Sequence, residues 1–486
     1  MLLLRKLHIH RCQYYRYEII TFKTERQPVK KTPEAVDIVI IGAGQAGLAA
    51  GYYLKLAGIP FIMLDSNPRV GDAWRQRWDS LELFTPRPFA ALPGLKLGHK
   101  YANYPKKDEI ADYFETYAKT FHLPIKANSK VLSVTKSKAG YLVQTSNTEI
   151  IALQIIIATG PYTQAYIPKY ASKLHETVYQ IHSSDYKNPA QLIGKSVTIV
   201  GGGNSAIQLA EELLAASKDV TLVSSRMPWF LPKTILGISS YWWFYLFGIL
   251  HASANTKISK YVQRREDGII GRSALKHIKQ GSIKHLVSSV TDATDASLVL
   301  NSGENIPVAA VLWATGFKPN YAWLKLPGAL GEGGQPIHSK GISPVAGLYW
   351  IGLPWQTSMN SGIINGVGHD ARHIVNIIKR LRNSGVSNMD DIKAKIVNGQ
   401  AVLLDVRTDE EWHESHAAGA IHIPLANLAS AYKDKLELNQ TVYLYCGSGK
   451  RAGEAKSILD AAGYTAVNIG GLTDWIQAGG DVQSKS

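Results

Sequence analysis

The segment "VDIVIIGAGQAGLAAGYYLKLAGIPFIMLD", Val36 to Asp65, decides the fold of this chain. Its buried apolar run predicts a strand over 37–41, followed by a glycine-rich turn, an apolar helix and a second strand. The turn has the spacing G-x-G-x-x-G, with its glycines at Gly42, Gly44 and Gly47. Such a turn brings the backbone close to a pyrophosphate, and the helix N-terminus stabilises the negative charge. We therefore predict a dinucleotide site in which Asp65, at the end of the second strand, accepts a hydrogen bond from a ribose hydroxyl.

The same order of elements returns in "KSVTIVGGGNSAIQLAEELLAASKDVTLVSSR", Lys195 to Arg226. Its turn has an alanine, Ala206, where the first turn has its third glycine. The second strand leads into Arg226 rather than an acid, and a guanidinium suits a 2′-phosphate; a solvated surface arginine is the alternative. We therefore favour NADPH over NADH at this site. The residues predicted to bind it are Gly201, Gly203, Asn204, Ser205, Ala206 and Arg226.

Two such units in one chain predict an α/β fold with two Rossmann-like dinucleotide-binding domains, one for FAD and one for NADP. A chain of 486 residues has room for two or three domains. We predict an FAD-binding domain at 37–190 and 306–385. The NAD(P)-binding domain is predicted at 191–305, with a helical insertion at about 229–267.

The chain is basic, with a net charge of +15, and the charge is uneven. Residues 1–36 carry eight basic against three acidic residues, and 389–486 carry nine against thirteen, so the middle holds most of the excess. No basic–aromatic recognition motif accompanies it, so we predict a field for anionic cofactors and substrates and no nucleic-acid partner. Residues 1–36 lack a long apolar run and a small-residue cleavage site, which favours a disordered extension over a targeting segment.

One apolar stretch, "TILGISSYWWFYLFGIL", runs from Thr234 to Leu250. Its seventeen uncharged residues fall short of the roughly 20 that span a bilayer, and Gly237, Ser239 and Ser240 lower its apolar character. We predict an insertion that packs on the protein or covers its cleft. Contact with a membrane surface is the less favoured alternative.

Several further segments of the chain resemble flavin-containing monooxygenases. These are "GDAWRQRWDSLELFTP" (71–86), "IIIATG" (155–160), "IHSSDY" (181–186), "VLWATGF" (311–317), "GLYWIG" (347–352) and "SGIINGVGHDA" (361–371). The resemblance covers about 37–385 and implies FAD and NADPH as cofactors. The residues that it implies at the FAD site are Gly42, Gly44, Gln45, Ala46, Gly47, Asp65, Trp74, Thr85, Val131, Gly160 and Gly352.

Four positions of this resemblance have more than one interpretation. Trp74 is either close to the flavin or a core residue. His182 either orients the connection between the two domains or is a hydrogen-bonded structural histidine. Asp370 either faces a flavin pocket or lies on the surface of the last helix. Thr85 stands where many members carry an asparagine near the flavin, so oxygenase, oxidase and reductase chemistry all stay open.

The chain has two cysteines, Cys12 and Cys446. Two cysteines cannot staple a secreted scaffold, so we predict a reducing, cytoplasmic location. Flavoenzymes that reduce disulfides need a cysteine beside the flavin, because its thiolate attacks the substrate sulfur. Residues 37–385 contain no cysteine. This excludes a thiol–disulfide reductase of the usual kind at the predicted flavin site.

The composition shifts at "NSGVSNMDD" (383–391), which predicts a linker. Beyond it, "LLDVRTDEEWHESHAAGAIHIPLANL" (403–428) resembles the first half of a rhodanese domain. "YLYCGSGKRAGEAKSILDAAGYTAVNIGGLTDW" (443–475) resembles the second half. We therefore predict a small rhodanese-like α/β domain at 389–486.

The segment "CGSGKR" places Cys446 at a strand end, before a helix predicted to begin near Ala452. Backbone N–H groups of 447–451, the helix dipole and Arg451 favour the thiolate and would stabilise a persulfide. The spacing Cys-x4-Arg is tighter than the Cys-x5-Arg of phosphatases of related fold, and it suits one sulfur atom. Cys446 and Arg451 are the predicted catalytic residues. The predicted supporting residues are Gly447, Ser448, Gly449, Lys450, Asp405 and Arg407, of which Lys450 attracts anionic donors and the last two form the wall and entrance.

These patterns together predict an FAD-dependent, monooxygenase-like NADPH oxidoreductase fused to a sulfurtransferase that carries sulfane sulfur on Cys446. Its predicted partners are a small-molecule substrate, a sulfane sulfur donor and a thiol or cyanide acceptor, and no metal is predicted. The alternative is a flavoprotein that senses nicotinamide redox state, or an NADPH oxidase or reductase, and that regulates or supplies the rhodanese domain.

Overall fold

A computed structural model of the protein describes residues 33–98, 104–265, 268–383, 389–477 and 480–484. Cys12 and most of the predicted N-terminal extension lie outside these ranges. The first strand begins at Glu34 rather than at residue 37, because Glu34 already pairs with Ile150 of a neighbouring strand.

The chain up to residue 173 supplies most of the first sheet and its helices. Its elements are β1 (Glu34–Ile41), α1 (Gln45–Leu56), β2 (Phe61–Leu64), α2 (Asp72–Arg75), α3 (Lys107–Thr120), β3 (Ile125–Lys126), β4 (Val131–Ser137), β5 (Gly140–Thr145), β6 (Glu149–Ile157) and β7 (Gln164–Ala165), with 3-10 turns at Arg87–Phe89 and Lys169–Lys173.

The middle of the chain supplies the second sheet and returns to the first. Its elements are β8 (Tyr179–His182), a 3-10 turn (Pro189–Gln191), β9 (Ser196–Val200), α4 (Asn204–Ala215), β10 (Asp219–Ser224), β11 (Phe230–Leu231), β12 (Thr234–Ile235), β13 (Ile238–Ser239), α5 (Ser240–Leu246), α6 (Lys257–Arg265), β14 (Ile269–Ile270), α7 (Ser273–Lys279), β15 (Ile283–Val287), β16 (Val290–Thr294), β17 (Ser297–Leu300), β18 (Asn305–Pro307), β19 (Ala310–Trp313), β20 (Phe317–Lys318), β21 (Leu348–Trp350) and α8 (Val367–Asn383).

The C-terminal part of the chain forms a third unit of alternating helices and strands. Its elements are α9 (Met389–Val397), β22 (Ala401–Asp405), α10 (Asp409–Glu414), β23 (Ser415–Ala417), β24 (Ile421–His422), α11 (Leu425–Lys435), β25 (Thr441–Cys446), α12 (Lys450–Ala461), β26 (Thr465–Gly471), α13 (Leu472–Gln477) and β27 (Val482–Ser484).

The first sheet has the order β3-β2-β1-β6-β5-β4, with β21 also paired to β6. β1, β2, β3, β6 and β21 are parallel, and β4 and β5 continue from β6 as an antiparallel meander. A parallel sheet is covered on both faces, so its strands are apolar on both sides. Accordingly, β1 ends in four consecutive buried residues, 38–41.

The second sheet has the order β15-β10-β9-β19-β8 and is entirely parallel. Its strands β8 and β19 lie outside the predicted range 191–305, which was therefore too narrow at both ends. Both are short buried runs beside the crossings between sheets, and their apolar pattern does not tell which sheet a strand joins.

The insertion between β10 and β15 contains α5 and α6, as predicted, but also two short ladders. β11 pairs with β14 in parallel, and β12 and β13 form a hairpin. One face of the insertion buries Tyr241 and Leu250 against Phe89. Among the described residues, no helix is both long enough and apolar enough to cross a membrane.

The third sheet has the order β24-β22-β25-β26, all parallel. Its core is continuous with that of the first sheet through α8. Ile377, Ile378 and Leu381 of α8 belong to one buried cluster with Leu403 of β22 and Trp475 of α13. Helix α8 is therefore a structural element of both units.

Candidate functional site

In the first glycine turn, one glycine has open space beside its backbone, and at two others even a Cβ would be too close to a carbonyl oxygen. A Cβ at Gly42, whose φ is +104°, would lie 2.7 Å from the Ala158 carbonyl oxygen. A Cβ at Gly47 would lie 1.9 Å from the Gly42 carbonyl oxygen, so this glycine permits close packing of α1. A Cβ at Gly44 would meet nothing within 4 Å. The backbone at Gly44 is therefore open to a phosphate group.

A cavity of about 590 Å³ opens beside this turn. Of the residues predicted at the FAD site, Gly42, Gly44, Asp65 and Val131 line it. Its wall also contains Arg77, which the sequence prediction did not single out although it lies within the quoted "WRQRW" run. The Arg77 guanidinium lies 5.2 Å from the Phe317 ring centroid, and burial lowers its pKa. This is a cation in the wall of a site predicted to hold phosphates.

Asp65 has a second task beside facing the cavity. Its Oδ2 accepts a hydrogen bond from the Ala43 N–H at 2.7 Å, and its Oδ1 accepts one from the Asn67 N–H at 2.8 Å. The carboxylate therefore connects the glycine turn to the end of β2. This fixed position suits a carboxylate that also accepts a hydrogen bond from a ribose hydroxyl.

The remaining predicted FAD residues surround the turn rather than line the cavity. Gln45 donates its side-chain amide to the Gly362 carbonyl at 2.9 Å. Ala46 is buried, and a Cβ at Gly352, whose φ is +88°, would lie 2.7 Å from the Ala46 Cβ. At Gly160, a Cβ would again meet nothing within 4 Å.

Trp74 and Thr85 also stand away from the cavity wall. Trp74 is partly buried and packs against the cores of both the first and the second sheet, which favours the interpretation as a core residue. Thr85 is buried, and its hydroxyl lies 3.4 Å from the Tyr241 hydroxyl of α5. The insertion therefore reaches the segment that the sequence places beside the flavin.

The second glycine turn repeats the geometry of the first. Gly201 has φ of +143°, and its Cβ would lie 2.2 Å from the Ala314 carbonyl oxygen, whereas a Cβ at Gly203 would meet nothing within 4 Å. Ala206 is fully buried in α4. Two hydrogen bonds shape the surroundings: Asn204 donates to the Gly268 carbonyl at 3.4 Å, and Ser224 donates to the Arg226 carbonyl at 2.7 Å. Ser205 is half-buried, and Arg226, two residues after the end of β10, is exposed at the position where a 2′-phosphate is predicted.

His182 and Asp370 are both buried. His182 Nε2 lies 3.0 Å from the Gly316 carbonyl oxygen and Nδ1 lies 2.9 Å from the Ser184 hydroxyl, and burial lowers its pKa. This histidine joins the two crossings between the sheets. Asp370 is fully buried, so of its two interpretations the one on the surface of α8 does not hold. Burial raises its pKa, and its Oδ1 accepts a hydrogen bond from Thr357.

The Cys446 thiol lies at the end of β25 and is fully buried. Its Sγ accepts a hydrogen bond from the Gly449 N–H at 3.1 Å. Gly449 has φ of +88° and caps α12, which begins at Lys450 rather than near the predicted Ala452. The loop therefore turns one backbone donor and the start of a helix toward the sulfur.

The Arg451 guanidinium is held by a residue that the sequence prediction missed. Its Nη1 donates to Glu411 Oε2 at 2.6 Å and its Nη2 donates to Glu411 Oε1 at 2.8 Å. These hydrogen bonds lower the pKa of Glu411 to about 2. The same guanidinium faces the Cys446 sulfur. The spacing Thr408-x-x-Glu411 predicts a capping box at α10, which the structure has, but it does not predict the pairing with Arg451.

The other predicted supporting residues separate into an interior pair and an exposed rim. Asp405 and Arg407 form a buried ion pair, with Arg407 Nη2 2.6 Å from Asp405 Oδ2. Arg407 also donates to the Ser415 carbonyl at 2.6 Å, so the pair forms a wall of the domain. Gly447, Ser448 and Lys450 are exposed at the mouth of the loop.

Comparisons with known proteins agree with both parts of the chain. A family model described as pyridine nucleotide-disulphide oxidoreductase matches residues 39–242, and one described as a rhodanese-like domain matches 388–478. The flavin-containing monooxygenase of Stenotrophomonas maltophilia has a similar structure, with a TM-score of 0.60 and 26% identity, over 71% of this chain and 98% of that one. The fold and the site thus define a flavin monooxygenase-like oxidoreductase with a C-terminal rhodanese domain.

Two bacterial relatives are more similar in sequence. An oxidoreductase described as CzcO-like from Geobacillus kaustophilus is 44% identical over 348 residues, which are 71% of this chain and 98% of that protein. The CzcO oxidoreductase of Bacillus subtilis is 40% identical over 70% of this chain and 98% of its own length. The chain belongs to the family of CzcO-like oxidoreductases.

These findings confirm the predicted fold class and the resemblance to flavin-containing monooxygenases and rhodaneses. FAD and NADPH, predicted from the two glycine turns, are the cofactors of the flavin monooxygenase family. The individual site residues stay predictions. The open backbone at Gly44 and Gly203 and the cation in the cavity wall fit phosphate-bearing cofactors of this kind.

A pair of glycine substitutions tests the first turn. Gly44→Val places its side chain in open space, so the protein should fold normally but lose roughly tenfold or more of its bound FAD. Gly42→Val, which requires φ of +104° and a Cβ 2.7 Å from a carbonyl, should instead lower the unfolding temperature. Flavin absorbance and thermal unfolding measure the two effects. Full FAD content in Gly44→Val would contradict the assignment of the turn.

The ion pair of Glu411 and Arg451 should make stability depend on pH. Because the folded pKa of Glu411, about 2, is below its ordinary value of 4.5, the pair stabilises the folded chain above pH 4.5 and is lost as the pH falls to about 2. The two side chains are about one-third exposed, so the effect is about 0.5–1 kcal/mol. Glu411→Gln should lose this contribution at neutral pH and show a flatter pH dependence in denaturant unfolding. Glu414→Gln, on the exposed face of the same helix, is the control, and equal pH profiles for all three proteins would refute the coupling.

Proposed function

We propose that the protein couples an FAD-dependent NADPH oxidoreductase of monooxygenase type to a sulfurtransferase that carries sulfane sulfur on Cys446. The geometry of the Cys446 loop supports the second activity most directly. The Gly449 N–H donates a hydrogen bond to the sulfur, and the Arg451 guanidinium, which Glu411 holds in place, faces it. Both features stabilise negative charge on the sulfur atom, as the thiolate and as the terminal persulfide.

The oxidoreductase half uses its own residues to bind and orient. The turns at Gly44 and Gly203 present backbone N–H groups to the phosphates of FAD and NADPH, and Arg226 meets the 2′-phosphate. The bound cofactors supply the transfer of hydride from nicotinamide to flavin and the reaction of the reduced flavin with an acceptor. Tyr241 of the insertion and Thr85 of the 71–86 segment, whose hydroxyls lie 3.4 Å apart, contribute to the boundary of the proposed substrate site.

The sulfurtransferase half transfers sulfur in two steps, first to Cys446 and then to an acceptor. The Cys446 thiolate attacks the outer sulfur of thiosulfate; a new S–S bond forms, the S–S bond of thiosulfate breaks, and sulfite leaves with the electron pair. An acceptor such as cyanide then attacks the outer sulfur of the persulfide. The thiocyanate ion departs and the thiolate is restored. The first step needs no external oxidant or reductant, so it does not require the flavin.

Substitution of the thiol tests the sulfurtransferase. Cys446→Ser should reduce thiosulfate:cyanide sulfur transfer to the uncatalysed rate, because a hydroxyl does not form the persulfide. Its flavin absorbance and its oxidation of NADPH should remain those of the unsubstituted protein. Cys12→Ser is the matched control and should keep full sulfur transfer. Activity that survives in Cys446→Ser would overturn the assignment.

The nicotinamide preference tests the second turn. The yellow protein should bleach faster with NADPH than with NADH, and Arg226→Ala should reduce this preference by roughly tenfold to a hundredfold, because one charge-assisted contact is lost. Lys195→Ala is the control, because Lys195 precedes the N-terminal end of β9, whereas Arg226 follows the C-terminal end of β10. A preference that persists in Arg226→Ala would show that another group reads the 2′-phosphate.

Aerobic turnover distinguishes the oxygenase from the alternatives. Consumption of NADPH that a substrate accelerates, with little hydrogen peroxide, supports the monooxygenase. Consumption that releases peroxide in equal amount supports the oxidase. A flavin that is reduced once and does not turn over supports a sensor of nicotinamide redox state.

A further inference from the structure

Helix α8 brings a charged side chain of the cofactor-binding part onto the Cys446 loop. Arg380, on the last turns of α8, donates from Nη1 to the Ser448 carbonyl oxygen at 3.1 Å. Its Nη2 donates to Asp474 Oδ1 at 3.2 Å. Asp474 is buried, and its Oδ2 accepts the Gly471 N–H at 2.6 Å. The guanidinium is therefore fixed between a buried carboxylate and the loop that contains the thiol.

The contact with Ser448 reaches the sulfur through a single peptide group. The carbonyl of Ser448 and the N–H of Gly449 belong to the same planar trans unit, so they point in opposite directions. The carbonyl oxygen accepts from Arg380, and the N–H donates to Cys446 Sγ at 3.1 Å. One peptide plane is thus held at both ends, by a cation on one side and by the sulfur on the other.

Two physical effects follow from this arrangement. A cation on the carbonyl oxygen restricts rotation of the peptide plane and so keeps the N–H directed at the sulfur. It also polarises the peptide group, which makes the N–H a stronger donor. Both effects favour negative charge on the sulfur in the thiolate and in the persulfide.

We propose that Arg380 is a positioning residue for sulfur transfer, through which the cofactor-binding part of the chain sets the reactivity of Cys446. The inference deepens the proposed sulfurtransferase function and rests on it. Helix α8 also packs along α1, which follows the first glycine turn. About 15 Å of this helix separate the buried Asp370 from Arg380. The cofactor-binding turn and the thiol loop therefore share one rigid element.

The test uses the full chain in a Cys12→Ser background, so that alkylation reports on Cys446 alone. Arg380→Gln should slow the reaction of Cys446 with iodoacetamide by about two- to fivefold, the effect of one half-exposed charged contact. Its kcat for thiosulfate:cyanide transfer should fall while the KM for thiosulfate changes less, because Arg380 contacts the loop and not the donor. Arg380→Lys, which keeps a cation, should recover part of both rates.

The matched control is Arg382→Gln, on the same helix. Arg382 pairs with Asp37 of β1 at 2.6 Å and points away from the thiol loop, so its loss should leave Cys446 alkylation unchanged. Equal alkylation rates in Arg380→Gln, Arg382→Gln and the parent would overturn the proposal. So would an Arg380→Lys variant as slow as Arg380→Gln. If the parent shows no sulfur transfer, the proposed function fails, yet the alkylation contrast still tests Arg380.

A second, independent observation concerns the outer face of the insertion. Leu236 of the β12–β13 turn is 87% exposed, and Leu246 and Phe247 at the end of α5 are 71% and 70% exposed. Trp242 and Tyr245 of α5 are also partly exposed, and their ring centroids lie 6.3 Å apart. We define these five residues as the apolar insertion face. Side chains of this size rarely cluster on a surface that water alone covers.

The charge of the insertion that carries the apolar insertion face indicates what covers this face. Residues 229–267 contain five basic residues and two acidic ones, Glu266 and Asp267. Four of the basic residues, Lys257, Lys260, Arg264 and Arg265, lie on α6. Aromatic and aliphatic side chains beside lysines and arginines are typical of segments that rest in the interface of an anionic bilayer. We infer that the apolar insertion face docks on an anionic membrane surface, without crossing it.

Vesicle sedimentation of the full chain tests this inference. The protein should bind vesicles of phosphatidylglycerol and phosphatidylcholine, bind pure phosphatidylcholine less, and release with added salt. Leu246→Ser with Phe247→Ser should weaken binding by roughly tenfold or more. Ile193→Ser with Leu153→Ser, which removes two exposed apolar side chains elsewhere, should bind as the parent does. Absence of binding, binding that the first pair leaves unchanged, or a change of oligomeric state in that pair would refute the membrane as the occupant.

Discussion

The burial of α8 on two sides is the constraint on which the arrangement of the chain depends. One set of its apolar residues packs with the first sheet and α1, and Ile377, Ile378 and Leu381 continue the same buried cluster into the C-terminal sheet. A helix that is shared in this way cannot shift in one unit without disturbing the packing of the other, because protein cores are close-packed. The rhodanese domain is therefore fixed by the helix that follows the last strand of the cofactor-binding part, and the position of Arg380 follows from that packing.

Local geometry was the part of the molecule that the sequence could predict. A Cβ at Gly47 would lie 1.9 Å from a carbonyl oxygen, whereas Gly44, three residues earlier, faces open space. The spacing G-x-G-x-x-G encodes both requirements, since each depends on residues only a few positions apart. The same holds for the αL conformation of Gly449 before α12 and for the capping box at Thr408. Such signals placed both glycine turns and the Cys446 loop on their correct elements.

Contacts between distant residues were not predictable in this way. Arg451 and Glu411 are 40 positions apart, and Arg380 and Ser448 are 68 apart. From the sequence alone, these side chains are explained as a loop cation, a helix cap and a surface arginine. The neighbouring residues in the sequence do not indicate which distant residue each one contacts. The second sheet shows the same limit, because β8 and β19 look like any short buried strands and only the crossings decide which sheet they join. Asp370 was uncertain for the equivalent reason, since its hydrogen-bond partner Thr357 is 13 positions away.

The proposed flavin chemistry and the proposed sulfur transfer are separated because the cofactor-binding part of the chain contains no cysteine. The region 39–242, which matches the model described as pyridine nucleotide-disulphide oxidoreductase, contains no cysteine. The rest of the cofactor-binding part contains none before Cys446. Electrons from NADPH would therefore meet no thiol within that part, and the proposed sulfur chemistry belongs to the C-terminal loop. A direct exchange of electrons or sulfur is then not required for the two activities to influence each other. Helix α8 packs on α1 and places Arg380 on the peptide group beside Cys446, so in the proposed coupling it would transmit a change of packing and not a chemical group. In the proposed coupling, the fusion would join the two reactions through the rigidity of α8, and the thiol would respond to the cofactor site through the position of Arg380.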